Sequence, residues 1–221
     1  MLSQAVEDYL KTIYKLQGSG RVATNEIAGV AGVSSASVTN MMKRLTKMGL
    51  VDYASYHGVR LTEAGTKVAL EIIRHHRLLE TYLKEVMGFS WGQMHEEAER
   101  LEHHISEQFE ERIDQMLGFP THDPHGHPIP TRDGRIEESI TESLAEVEPG
   151  SHVVVHHVSD GNSDMLDYLE EAGLLPGSKV TIVGIEPFDG AMDIVLDSGE
   201  RSLGREVARH VFVTRSGNQI E

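Results

Sequence analysis

A run of acidic and imidazole side chains, HEEAERLEHH at residues 95–104, contains the residue types of a metal site. No proline interrupts residues 90–118, which predicts one continuous helix through the run. At 3.6 residues per turn, Glu99, Glu102 and His103 would fall within roughly 100° of arc on one face. Two carboxylates and an imidazole suit Mn(II), Fe(II) or Zn(II). The ordinary alternative for such a run is a solvated, charged helix face.

A second pair of candidate ligands precedes this run on another predicted helix, from Glu63 to about Met87. His76 and Glu80 are four residues apart there and share a face, a spacing that ordinary surface pairs also have. Neither cluster fits the H-E-x-x-H or H-x-x-E-H motifs of zinc hydrolases. A zinc hydrolase is therefore disfavoured.

The N-terminal third has the pattern of a winged helix-turn-helix. We expect helices from about Ser3 to Leu16, from Thr24 (as its cap), and from Ser34 or Ser35 to Met48, followed by a small hairpin. Serine, threonine, lysine and arginine side chains can bind phosphate there, and Asn40 can read an adenine edge. The predicted DNA-contacting residues are Thr24, Ser34, Ser35, Ser37, Thr39, Asn40, Lys43, Arg44 and Arg60.

Charge is distributed unevenly along the chain. Residues 1–74 hold nine lysines and arginines against six acids, whereas residues 75–221 hold 11 against 29, within a net charge of −15. A basic N-terminal part agrees with DNA binding despite the acidic total. The chain has no cysteine, so it has no disulfide or thiolate site, and no segment resembles a membrane span or signal peptide. We expect a cytoplasmic protein.

The C-terminal third changes from helical to β pattern. A segment rich in proline, glycine and histidine, residues 119–135, reads as a linker. After Ala145, strands are predicted at 152–158, 179–185, 191–197 and 210–214, with a helix at 163–172. Short strands in so few residues suggest a small barrel. The fold class is therefore mainly α with small β parts.

The order of these parts resembles the diphtheria toxin repressor family of metal-dependent transcription regulators. The matching stretches are EDYLKTIYKL, HRLLETYL, HEEAERLEHHIS, PHGHPIP, LLPGSKVTIVG and LGREVARHVFV, so the likeness spans essentially the whole chain. It implies a winged helix-turn-helix domain over 1–74 and a helical metal-binding and dimerisation domain over 75–145, with a linker at 119–145. It also implies a Src-homology-like barrel over 146–221, similar to ferrous-iron-transport A (FeoA) domains.

The same resemblance implies where metal would bind. The implied primary site is Asp8, Glu99, Glu102 and His103, and the implied ancillary site is His76, Glu80 and His95. Relatives that keep the barrel can instead complete a second site from Glu80 with Asp123, His125 and Asp160, which leaves two sets competing for Glu80.

Two positions bear on the choice of metal. The iron-type branch carries methionine and cysteine at the positions of Asp8 and Glu99, whereas both are carboxylates here, as in the manganese-type branch. Lys11 departs from the small manganese regulators, which have a second acid there and form a paired-metal site.

The function implied is a repressor of metal-uptake genes that Mn(II) or Fe(II) activates and that binds a palindromic DNA operator as a homodimer. Zn(II), Co(II) or Ni(II) would also bind in vitro. Two other classes stay open from the residues alone: a metalloenzyme with a winged-helix appendage, and a metal-independent winged-helix interaction protein.

Overall fold

The computed structural model describes residues 2–18, 20–137 and 139–215. The chain divides into two compact units. The first comprises residues 1–76, 102–106 and 130–136, and the second comprises residues 77–101, 107–129 and 137–221.

The first unit contains a winged helix-turn-helix, as the sequence predicts. Its elements are α1 (Gln4–Gln17), α2 (Thr24–Ala31), α3 (Ser35–Lys47) and the antiparallel strands β1 (Val51–Ala54) and β2 (Gly58–Leu61). Buried apolar side chains from every element form one core, among them Leu10, Ile27, Met42 and Val59. A side chain at Gly58 would bring its Cβ to 2.5 Å from the carbonyl oxygen of Val22, so the wing needs glycine there.

Helix caps explain where the DNA-binding helices begin. The hydroxyl of Ser34 accepts a hydrogen bond from the backbone N–H of Ser37 at 3.2 Å, which fixes the start of α3. The prediction that Thr24 caps α2 is wrong, because Thr24 is already helical and Ala23 occupies the cap position. The carboxylate of Glu26 accepts from the Ala23 N–H at 2.8 Å and replaces the missing cap.

Three helices follow the wing: α4 (Glu63–Glu85), α5 (Trp91–Leu101) and α6 (Glu107–Met116). Ser90 and Gln93 exchange side-chain to backbone hydrogen bonds of 3.3 and 3.2 Å at the start of α5. This reciprocal pair is a capping box, and it sets where α5 begins.

The prediction of one continuous helix through residues 95–104 is wrong, because α5 ends at Leu101 and α6 starts only at Glu107. At the break, the backbone carbonyl of Glu102 lies 3.1 Å from Nδ1 of His75. The Glu102 side chain is fully buried. Glu102 and His103 therefore lie in a turn after α5, and the 100° helical face does not exist.

The second unit contains an antiparallel sheet of six strands in the order β3-β8-β4-β5-β6-β7. Its elements are β3 (Glu142–Ser143), a 3-10 helix (Leu144–Glu146), β4 (His152–Val158), α7 (Ser163–Ala172), β5 (Lys179–Ile185), β6 (Met192–Leu196), β7 (Gly199–Leu203), α8 (Arg205–Ala208) and β8 (Val211–Arg215). The fold class, mainly α with a C-terminal β part, is confirmed.

Helix α7 joins the sheet to α5 within the second unit. The carboxylates of Glu170 and Asp167 accept hydrogen bonds of 2.8 Å from the backbone N–H groups of Trp91 and Gly92. Acidic side chains at a helix N-terminus satisfy its exposed donors and favour its dipole. Over the described part of the chain, no helix is both long and apolar enough to span a bilayer.

Candidate metal centres and nucleic-acid interface

The first unit brings together three residues of the predicted primary site. Asp8 projects from α1, while Glu102 and His103 come from the turn after α5, and their ligand atoms all lie within 4.8 Å of one another. Nε2 of His103 lies 2.8 Å from Oδ1 of Asp8 and 3.3 Å from Oε1 of Glu102.

The donor atoms of this cluster fit a metal ion. Nε2 of His103 is buried and makes no hydrogen bond to any described residue, although two carboxylate oxygens are close. A buried nitrogen without a hydrogen bond is costly unless something else binds it. An imidazole nitrogen and two carboxylate oxygens are the donor set that Mn(II), Fe(II) and Zn(II) accept.

Glu7 is a functional candidate that the sequence analysis missed. Its Oε2 lies 2.7 Å from Nδ1 of His103, whose side chain is only 2% exposed. A carboxylate that accepts a hydrogen bond from one ring nitrogen of a histidine fixes the tautomer and orients the other nitrogen towards a metal. The sequence analysis selected the neighbouring residue Asp8 instead. Nothing in the spacing of residues along α1 distinguishes Glu7 from an ordinary exposed acid.

The carboxylate of Glu102 also contacts two basic side chains. Nζ of Lys11 lies 2.8 Å from Oε1 and 2.7 Å from Oε2, and Nδ1 of His76 lies 2.6 Å from Oε2. His76, which the sequence analysis placed in the ancillary site, thus also contacts a predicted primary-site residue. Glu99, the fourth predicted primary ligand, is exposed on α5 in the second unit.

The second unit brings histidines from both alternatives for the second site onto Glu80. Oε1 of Glu80 lies 2.8 Å from Nδ1 of His95 and 3.5 Å from Nδ1 of His125. Glu80 and His125 are fully buried, and neither ring nitrogen of His125 makes a hydrogen bond to a described residue. One histidine from each of the two competing sets therefore approaches the same carboxylate oxygen.

Carboxylates surround His125. Burial tends to lower the pKa of His125, but the nearby carboxylate of Glu80, with the charges of Asp123 and Asp160, outweighs burial and raises that pKa. The Trp91 ring packs edge-on against the imidazole at a centroid distance of 5.0 Å. Three acids around a buried imidazole form a site that favours a cation.

Of the predicted DNA-contacting residues, Arg60 lies on the wing, Thr24 begins α2, and the others lie on α3 or at its N-cap. Ser34, Ser35, Ser37, Asn40, Lys43 and Arg44 are exposed, whereas Thr24 and Thr39 are half-buried. The Thr39 hydroxyl donates to the carbonyl of Ser35 at 2.9 Å, which occupies its donor. On the wing, Nε of Arg60 lies 3.2 Å from Oδ2 of Asp52, so a phosphate would compete with that carboxylate.

Comparisons with known proteins cover the chain in three consecutive matches. Residues 1–59 match the iron dependent repressor N-terminal DNA binding domain, residues 62–131 its metal binding and dimerisation domain, and residues 142–215 the FeoA domain. The third match agrees with the Src-homology-like sheet expected from the sequence.

Individual relatives agree with these domains. The iron-dependent repressor IdeR of Mycobacterium tuberculosis (strain ATCC 25618 / H37Rv) is 33% identical over 97% of this chain and 98% of its own length. The diphtheria toxin repressor of Corynebacterium diphtheriae (strain ATCC 700971 / NCTC 13129 / Biotype gravis) is 30% identical over 82% of this chain and 85% of its own.

Solved structures are also similar. A manganese-dependent transcriptional repressor in complex with manganese has a TM-score of 0.87 at 35% identity and covers 95% of this chain and 99% of its own. ScaR with bound Zn²⁺ has a TM-score of 0.79 at 35% identity, again with 95% and 99% coverage. These relatives are repressors rather than enzymes. The chain belongs to the iron-dependent repressor family of DNA-binding, metal-dependent transcriptional repressors.

Proposed function

We propose that this repressor is activated by Mn(II), or by Fe(II), held through Asp8, Glu102 and His103. One observation carries the proposal: the buried Nε2 of His103 makes no hydrogen bond to a described residue and lies beside oxygens of Asp8 and Glu102. A bound divalent cation would neutralise the carboxylates and compensate the buried nitrogen.

The donor types favour a hard or borderline metal. Carboxylates at positions 8 and 99 replace the methionine and cysteine of the iron-type branch, and the chain has no cysteine to supply thiolate. Oxygen donors with one imidazole suit Mn(II) and Fe(II). The manganese complex among the similar structures supports Mn(II), while structures with Zn²⁺ and Cd²⁺ support broader binding in vitro.

The position of Asp8 links metal binding to DNA binding. The neighbours of Asp8 along α1, Val6 and Leu10, are fully buried in the winged-helix core. A metal that binds Asp8 together with Glu102 and His103 would therefore fasten this core to the turn at residues 102–106. Such a cation would raise the population of the conformation that binds DNA, and it would not contact DNA itself.

The DNA-binding form is proposed to be a homodimer on a palindromic operator of a metal-uptake gene. The matched dimerisation domain supports the dimer, and the exposed face of α3 supports major-groove binding. A two-fold dimer would place its recognition helices about 34–36 Å apart to enter successive grooves.

Glu80 is proposed as the centre of an ancillary site. His95 and His125 both approach its Oε1, and Asp123 and Asp160 add negative charge around His125. Because the contacts of Glu80, His95 and His125 all lie within the second unit, a cation there would brace that unit. It would not fasten α1.

Selection of a duplex from a random pool in Mn(II), followed by affinity titrations, tests the proposal. The selected duplex should bind tightly in Mn(II) or Fe(II) and lose affinity in excess chelator, whereas a scrambled duplex should bind weakly throughout. Equal affinity for the selected duplex with and without chelator would overturn the proposal and favour a metal-independent winged-helix protein.

A further inference from the structure

Strand β4 carries a bulge that places two histidines side by side. Along β4 and β8, Val155 pairs with Val213 but His157 pairs with Phe212, so His156 is an extra residue. In a regular strand, consecutive side chains point to opposite faces. The bulge removes this alternation, and Nδ1 of His156 lies 3.1 Å from Nδ1 of His157. Bulges of this kind often re-aim side chains next to functional sites.

The loop at residues 122–128 packs directly onto this bulge. The backbone carbonyl of His125 accepts a hydrogen bond from the N–H of Val158 at 3.0 Å. Gly126 has a φ of +92°, and a Cβ there would lie 2.2 Å from the carbonyl oxygen of His156. Only glycine permits that close approach. The loop is therefore built to hold its side chains against β4.

Two loop histidines extend the pair into a cluster. The ring centroid of His127 lies 5.0 Å from that of His157, and the ring centroid of His122 lies 6.3 Å from that of His156. His157 also stacks on Phe212 at 4.6 Å with an angle of 6° between the planes, which holds its ring in place. We call His122, His127, His156 and His157 the histidine cluster.

Two nitrogens of this cluster have the spacing of ligands on one metal ion. In a tetrahedral site with metal–nitrogen bonds of 2.0–2.1 Å, two ligand nitrogens are roughly 3.3 Å apart. The Nδ1 atoms of His156 and His157 are already at about that separation, 3.1 Å. Nδ1 of His127 is buried and makes no hydrogen bond within the described ranges, and Oδ2 of Asp123 lies 3.6 Å from it.

We propose that His127, His156 and His157 form an additional binding site for a borderline divalent cation of the Zn(II), Ni(II) or Cu(II) type, with His122 at its exposed rim. Imidazole donors without a carboxylate ligand favour these ions over Mn(II). The site is separate from the Asp8–Glu102–His103 centre, and a cation there would fasten the 122–128 loop to β4. The cluster would thus let the chain respond to an ion different from its activator.

Zinc stoichiometry of the full-length chain tests this site. Zn(II) binding is measured by competition with a chromophoric chelator, and Mn(II) binding by electron paramagnetic resonance. The proteins compared are wild type, the cluster variants His156→Ala and His127→Asn, and the control His152→Ala. His152 is exposed on the same strand and contacts Thr181 rather than the cluster. Each cluster variant should lose one zinc equivalent, or bind it at least tenfold more weakly, and keep the Mn(II) stoichiometry. His152→Ala should retain that equivalent.

A second measurement needs no substitution. On the wild-type chain, substoichiometric Cu(II) should broaden the imidazole NMR signals of His127, His156 and His157 before those of His152 and His210. Unchanged zinc stoichiometry and affinity in both cluster variants would overturn the proposal. Equal broadening of all five histidines would do the same, because it would show only adventitious surface binding.

Discussion

Lys11 and Glu102 form a buried ion pair between residues 91 positions apart in the sequence, with Nζ at 2.8 and 2.7 Å from the two carboxylate oxygens. Lys11 is 6% exposed and Glu102 is fully buried. Glu102 is also a proposed metal ligand, so the ammonium group and the metal compete for the same oxygens. Position 11, which carries a second acid in the small manganese regulators, thus carries the positively charged side chain of Lys11 here.

Lys11→Met should therefore have opposite effects with and without metal. In chelator, removing one partner of a buried pair should lower the free energy of unfolding by about 3–5 kcal/mol. In Mn(II), the variant should bind metal more tightly than wild type, because no ammonium competes for Glu102. Chemical denaturation and Mn(II) titration measure the two effects, with Lys15→Met on the exposed side of α1 as control. Weaker Mn(II) binding by Lys11→Met would show that the lysine supports the metal site.

Glu7 should orient His103 for metal binding. Because its Oε2 is 2.7 Å from Nδ1 of His103, Glu7→Leu should weaken Mn(II) affinity by about 10–100-fold, and Glu7→Gln should weaken it less. Isothermal titration with Mn(II) measures this effect, and Glu71→Gln at an exposed position of α4 is the matched control. If Glu7→Leu binds Mn(II) as tightly as Glu71→Gln, the contact between Glu7 and His103 has no role in ligation.

Asn40 and Lys43 should differ in what they contribute to DNA binding. Asn40→Ala should relax the preference at one base pair by about 1–3 kcal/mol if the amide pairs with adenine. Lys43→Ala should lower the affinity for all duplexes alike. It should also reduce the salt dependence of that affinity by the amount expected for about one phosphate contact. Affinities for single-base operator variants at several salt concentrations separate the two. An unchanged base preference in Asn40→Ala would place the reading residue elsewhere.

Glu80→Gln should weaken activation by Mn(II) without abolishing it. The substitution removes the charge that His95 and His125 approach, but leaves the Asp8–Glu102–His103 centre intact. The midpoint of Mn(II)-activated operator binding should shift to higher Mn(II) with the maximum retained, and Glu85→Gln, exposed on α4, should not shift it. A complete loss of activation in Glu80→Gln would show that the site at Glu80, rather than the Asp8–Glu102–His103 centre, is the primary site.

The sequence predicts those parts of the fold that local signals determine. Helix α7 lies at Ser163–Ala172, as predicted, because Asn162 caps it and Gly173 ends it in the left-handed conformation. By contrast, α5 ends at Leu101 and the next residue, Glu102, is buried against Lys11, a long-range contact that no local pattern contains. Strand β7 was missed because four of its five residues are exposed and show no alternation of polar and apolar residues.

The candidate sites divide in the same way. Residue types and a family resemblance led to Asp8, Glu102 and His103, which the fold brings together. Glu7 was not predicted, because only the orientation of the His103 ring gives it a role. The sequence gives His156 and His157 no role beyond the predicted strand at 152–158, since regular alternation would place them on opposite faces and the bulge that brings them together depends on pairing with β8.

The central claim is that metal at Asp8, Glu102 and His103 switches operator binding. Its most direct test is operator affinity as a function of free Mn(II) for wild type, Glu102→Gln and the exposed control Glu96→Gln. Wild type and Glu96→Gln should gain about a thousandfold or more in affinity as Mn(II) saturates, whereas Glu102→Gln should remain at the level of non-specific binding. Full Mn(II) activation of a folded Glu102→Gln protein would contradict the account.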